Sequence, residues 1–151
     1  MNTIYTTEPT QEIAPRIGSS GASAIAPETV MSRFDKTCED HGTKDAIHQK
    51  VAGEDGSLAW KTWTWNEYRG EVDKFAKSLI SVGFNAHDCI NIIGFNAPAW
   101  FFANMGAIAA GGIAAGIYTT NLPEACKYVS DHSKAKVVVV EGNKQVRRGG
   151  S

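Results

Sequence analysis

No Asp, Glu, Lys or Arg occurs anywhere in residues 89–123, CINIIGFNAPAWFFANMGAIAAGGIAAGIYTTNLP. A run that long without charge excludes a solvated surface segment and marks an interior. Other absences narrow the chemistry. The sequence holds neither G-x-G-x-x-G nor G-x-x-x-x-G-K-[ST], and the glycine spacing of residues 106–112 lacks the lysine, so neither nucleotide signature is present. Cysteine is scarce: Cys38, Cys89 and Cys126 are far apart and odd in number, which argues against a disulfide framework and fits a reducing compartment. With no C-x-x-C or His-x-x-x-His pattern, they read as buried thiols on a strand and two helices. Fifteen basic and sixteen acidic residues are interspersed around a net charge of -1, which speaks against a nucleic-acid partner; the one basic pair, Arg147-Arg148, lies in the tail. No basic segment precedes an apolar core near the N-terminus, so a secretory signal is not expected, and Glu8 and Glu12 count against a transit peptide.

What is present is the composition of one globular domain, 42% hydrophobic over 151 residues. The uncharged run reads as a strand at 90–93, a polar hinge at 94–96, a helix opening at Asn96 with Pro98 in its first turn, a stop at Gly111-Gly112, and a second strand at 113–118. Apolar strands joined by a helix belong to a parallel sheet covered on both sides, with a right-handed crossover. A membrane span over residues 97–118 is the rival reading, since about 20 apolar residues suffice. Against it stand the Ala and Gly content, Asn104 in the middle, the Gly pair, and the lack of flanking basic clusters.

In chain order, residues 1–26 are rich in Thr, Ser, Ala, Pro and Gly and are expected to form a disordered lead-in. Pro27 is expected to open a helix with Val30, Phe34 and Cys38 on one face, ending near Gly42. AIHQKVA and LAWKTW flank Gly-Glu-Asp-Gly-Ser, the pattern of a β-hairpin. Thr64-Trp65-Asn66-Glu67 is a capping box, starting a helix whose Tyr68, Val72, Phe75, Ala76 and Leu79 share an apolar face up to Gly83. Asn121-Leu122-Pro123-Glu124 is expected to repeat that device, and residues 137–140 to form a fully buried strand. Three strands alternating with helices make an α/β chain, an incomplete doubly wound parallel sheet with a small β-hairpin. With three parallel strands its two layers would be thinly covered.

Ligands in such sheets bind past the carboxyl ends of the strands. That rim carries Gly94-Phe95-Asn96 and Tyr118-Thr119-Thr120-Asn121. Asn96 and Asn121 read as helix caps. His41, His48, His87 and His132 fall one per element and read as surface or helix-end residues, Glu39-Asp40 and Glu54-Asp55 as a helix end and a turn, and Trp60, Trp63, Trp65 and Trp100 as packing. No residue is assigned a catalytic, cofactor-binding or metal-ligating role.

Two segments, WTWNEYRGEVDKFAKSLISVGF and INIIGFNAPAWFFANMGAIAAGGIAAGIYTTNLPEACKYVSDHSKAKVVVVEGNKQ, resemble the start of a long-chain fatty acyl-CoA synthetase of the adenylate-forming, AMP-binding superfamily, in its bubblegum-type branch. The likeness spans residues 27–145 and is most specific over 64–141. Residues 64–68 correspond to one of the family's ordered motifs and residues 106–118 to another, both of them structural. The resemblance implies a fatty acid–CoA ligase: ATP and Mg²⁺ activate the fatty acid as acyl-adenylate, and the acyl group passes to coenzyme A. It also implies a cytoplasmic place, peripheral to the endoplasmic reticulum or other membranes. It carries no catalytic residue onto this chain, which is expected to be an N-terminal fragment inactive alone, ending in an aberrant tail at 146–151. The alternatives are a non-catalytic α/β module that associates with a partner or with itself through its exposed sheet edge, and the single-span membrane protein.

Overall fold

The computed structural model describes residues 5–8 and 10–142; the expected tail at 146–151 and residues 1–4 and 9 of the lead-in fall outside them. Residues 10–29 bury no side chain and hold one 3-10 turn, Gly21–Ala24. Helix α1, Val30–His41, starts three residues later than Pro27. Thr29 sets its start, with a side chain that accepts from the Ser32 N–H. Phe34 and Cys38 are buried as the spacing predicts, whereas Val30, in the first turn, is exposed.

Strands β1, Asp45–Ala52, and β2, Leu58–Thr64, form the antiparallel hairpin. Its last residue caps α2, Trp65–Ser81. Thr64 Oγ1 accepts from the Glu67 N–H at 3.2 Å, and the Glu67 carboxylate accepts from the Thr64 N–H at 2.7 Å. The capping box thus fixes how the hairpin passes into the helix. One face of α2 presents Tyr68 and Val72 to α1, where the Phe34 ring meets Tyr68 edge-on at 4.9 Å. Leu79 lies further along, in the core beneath the main sheet. Gly83, at φ +85°, turns the chain out of the helix.

The main sheet has three parallel strands in the order β4-β3-β5: β4 is Ile113–Ile117, β3 is Cys89–Ile93 and β5 is Ala135–Val140. Every residue of β3 is buried. Ile90 and Ile92 face α2 and α3, Pro98–Ala109, in a core shared with Ala103 and Ala107. Ile93 faces the other side, where α4, Pro123–Ser133, contributes Cys126. The sheet is therefore wound on both faces. All three cysteines are buried and free, one on a strand and two on helices.

Residues 97–118 are a helix and a strand separated at Gly111, φ +79°, and no helix among the described residues is long and apolar enough to cross a membrane. Strand β5 is not fully buried. It is an edge strand with alternating exposure, and Val138 is 47% exposed. Asn96 and Asn121 do not cap. The residues preceding α3 and α4 are Ala97 and Leu122, neither with a side-chain cap. Pro98 and Pro123 occupy the first helical position, and that fixes the cap one residue beyond each asparagine.

Candidate functional site

Strands β3 and β4 are neighbours, yet the chain leaves them toward opposite faces, into α3 on one side and α4 on the other. Divergent exits open a crevice at the carboxyl ends, the switch point of an open α/β sheet. Here it has a volume of about 650 Å³. Gly94, Phe95 and Asn96 line one side; Gly116, Ile117, Tyr118 and Thr119 line the other; Trp100 of α3 closes the base. The predicted rim is thus brought together as far as Thr119.

Sequence reasoning missed two contributors. Trp100 packs against the core as expected, and its ring also stands over Gly116, 3.5 Å from where a Cβ would be. A glycine inside an otherwise apolar strand was the available signal for that close approach. Glu141 carried no signal. It lies just past β5, where its N–H donates to the Ile93 carbonyl at 3.1 Å and its carboxylate accepts from the Phe95 N–H at 3.2 Å. The 94–96 turn is held in place by this residue.

The described lining of the crevice is uncharged. Phe95 and Tyr118 present rings to solvent, 67% and 82% exposed, and among the described residues no Lys, Arg, His, Asp or Glu lines the space. The residues do not fit a magnesium–triphosphate, which requires cations against the phosphates and carboxylates on the metal. A neutral, aromatic-walled space suits apolar surface instead. The four histidines are dispersed as expected: His41 ends α1, His48 pairs with Thr62 across the hairpin, His87 is in a turn, and His132 stacks on Tyr128. Among the described residues no three His, Cys, Asp or Glu side chains gather to hold a metal.

Groups with displaced pKa lie elsewhere. Burial pushes the Tyr68 hydroxyl up to about 12, with Cys38 adding to the effect. Burial, and then the charges of Asp73 and Glu39, also raise the Cys38 thiol. Hydrogen bonds from Ser57 lower Asp55, and those from Thr64 lower Glu67. Of the tryptophans, Trp63 packs edge-on against Phe102 and Trp65 joins the α1–α2 core. Trp60 departs from the packing expectation: it is 65% exposed on the outer hairpin face beneath Lys50.

The AMP-binding enzyme family model matches residues 34–149. The chain belongs to that family. It is 37% identical to a long-chain-fatty-acid–CoA ligase of Gallus gallus, ACSBG2, over 96% of this chain and 18% of that protein. The Homo sapiens ACSBG2 is 34% identical over 96% of this chain and 21% of its own length, and the ligase heimdall of Drosophila melanogaster 34% over 86% and 19%. The chain spans about a fifth of the length of the curated relatives it matches. Among solved structures, VinN with L-aspartate superposes with a TM-score of 0.71 at 17% identity, over 80% of this chain and 32% of that one. A benzoate CoA ligase of Burkholderia xenovorans gives 0.64 at 22% identity, over 78% and 22%. These likenesses show that the fold is the α/β sheet of adenylate-forming enzymes.

Proposed function

We propose that this chain is the N-terminal α/β part of an ATP-dependent long-chain fatty acid–CoA ligase, and that on its own it forms no acyl-adenylate. The observation that carries the reading is its identity of 34–37% with ligases of that name, along almost its whole length, while it spans about a fifth of theirs. Its contribution to such an enzyme is architectural: β3 and its neighbours hold one wall of an uncharged crevice, and charged groups for ATP and Mg²⁺ come from other parts of a complete ligase. Fatty acid, ATP and CoA are the substrates of that whole protein. Its place is the cytoplasm, against membrane surfaces where fatty acids partition, and the three buried thiols suit a reducing compartment.

Fatty-acid-dependent exchange of pyrophosphate into ATP tests the reading on the purified 151-residue chain. No exchange above a protein-free control is expected, and exchange that requires fatty acid would refute it. A second reading is a module that associates through its sheet, whose edge strands β4 and β5 meet no further strand among the described residues.

A further inference from the structure

Trp60 is the tryptophan that packing does not use, and its neighbours make a surface with it. In the hairpin register Lys50 stands opposite Trp60, Ala52 opposite Leu58 and His48 opposite Thr62. Side chains alternate along a strand, so these six share the outer face. Leu58 is 68% exposed; Lys50 Nζ lies 5.2 Å from the Trp60 ring centroid, and His48 meets the same ring edge-on at 6.3 Å. The carboxylates of the hairpin lie at its ends. Asp45 is beside His48 at the base, 3.9 Å away, and in the turn, next to Glu54, Asp55 accepts from the Ser57 N–H and hydroxyl. Lys50 is thus the charge at the centre of the face, and none of the six is a carboxylate.

The layering sets this face apart from the main sheet. On α3, Ala103 and Ala107 turn to that sheet, while Phe102, Met105 and Ala109 turn to a core that takes in Ala46 and Ile47 of β1. Trp63, on the inner hairpin face, meets Phe102 at 5.7 Å. The hairpin therefore lies on the side of α3 away from the sheet, and its outer face is turned away from α3 as well. The edge of β5 and the end of the described residues are across α3 from it.

A leucine, a tryptophan and a lysine held out on paired strands suit a lipid interface. An indole settles at headgroup level with its N–H toward polar atoms, an aliphatic side chain goes deeper, and an ammonium stays with the phosphates while its stem lies on the ring. We propose that the outer face of the β1–β2 hairpin is where this chain meets a phospholipid surface, with Leu58 and Trp60 entering the interface and Lys50 pairing with lipid phosphate. The inference rests on the membrane placement proposed above and names the surface that makes it. Pyrophosphate exchange tests the ligase reading separately.

Flotation of the purified 151-residue chain with phosphatidylcholine vesicles, with and without phosphatidylserine, provides the test. The wild type is expected to float with the vesicles, and more of it when phosphatidylserine is present. Leu58→Gln and Trp60→Gln should each lower partitioning about tenfold, and Lys50→Glu should remove the gain from phosphatidylserine. Tyr128→Gln, at a position 67% exposed on α4, should float like the wild type. Acyl-chain bromine should quench tryptophan fluorescence in the wild type and not in Trp60→Gln. These side chains are exposed, so urea midpoints should stay unchanged; if that of Trp60→Gln shifts, Leu58→Gln and Lys50→Glu decide.

A wild type that stays in the soluble fraction would overturn both this inference and the membrane placement. Flotation undiminished by Leu58→Gln and Trp60→Gln, or lost equally in Tyr128→Gln, would overturn the inference alone. So would a single-stranded oligonucleotide bound through Trp60 in preference to vesicles, since lysine and tryptophan also make a base-stacking platform.

Discussion

Gly106 of α3 sits against the ring of Phe75 of α2, so closely that a methyl group at Gly106 would lie 2.7 Å from Phe75 Cδ1 and 3.1 Å from the Val72 carbonyl oxygen. Neither neighbour is a flexible end that swings away. Gly106→Ala is therefore expected to lower stability by about 1–3 kcal/mol, the cost of overpacking a filled contact. Gly116→Ala makes the same chemical change where the nearest atom, Trp100 Cζ2, is at an ordinary 3.5 Å. It should leave the urea midpoint nearly unchanged. Equal losses from both would mean that α2 and α3 are not this close.

The capping box gives a prediction about acid. Hydrogen bonds from Thr64 hold Glu67 below its ordinary carboxylate value of 4.5. A depressed folded-state pKa contributes stability that is present above the unfolded value and is lost as pH falls through the lowered folded value. Urea midpoints of the wild type should thus fall more steeply below pH 4.5 than those of Glu67→Gln. At neutral pH, Thr64→Ala should cost about 1 kcal/mol through loss of the N-cap.

At the alkaline end the sign reverses. Tyr68, pushed up to about 12 by burial, and the raised Cys38 thiol both bind protons more tightly folded than unfolded. Their contribution is full below the unfolded values, 10.0 and 9.0, and is lost as pH rises through the folded ones. Stability should decline between pH 9 and 12, with a shallower decline in Tyr68→Phe.

Asn91 is fully buried in the central strand. Its amide donates to Ser133 Oγ at 3.1 Å and toward the Ala115 carbonyl at 3.4 Å, and its Oδ1 has no partner among the described residues. An unmatched buried acceptor costs stability, while Ser133 keeps its own bond to Ser130. Asn91→Leu, which keeps the same branched arrangement of side-chain heavy atoms, should raise the urea midpoint, by about 1 kcal/mol in free energy. Ser133→Ala should lower it by a similar amount, for it strips the amide of its better acceptor. A loss of stability in Asn91→Leu would contradict this.

Local signals were the legible ones. Thr64 and Glu67, three residues apart ahead of an apolar face, specify a cap whatever surrounds them, and the hairpin and Gly111 break followed from similar chemistry. Asn96 and Asn121 misled because each has a cap-forming side chain one residue too early, and the proline that follows decides the start. Strand burial was less legible. Ile90 and Val138 both lie in apolar runs, but one is central and the other at an edge, a distinction made by strand order alone. The crevice was read through its rim, since strand ends and switch points follow from topology. Glu141 escaped because its partner, the Phe95 amide, is 46 residues away.

The position of β3 between β4 and β5 determines both the core and the crevice. Cross-strand nuclear Overhauser contacts in the isotope-labelled chain test this most directly. The predicted result is backbone contacts from Ile92 to both Gly116 and Val139, in parallel register, with helical contacts that cease at Ala109. Helical contacts running unbroken from Pro98 through Ile117, or Ile92 without either neighbour, would contradict it.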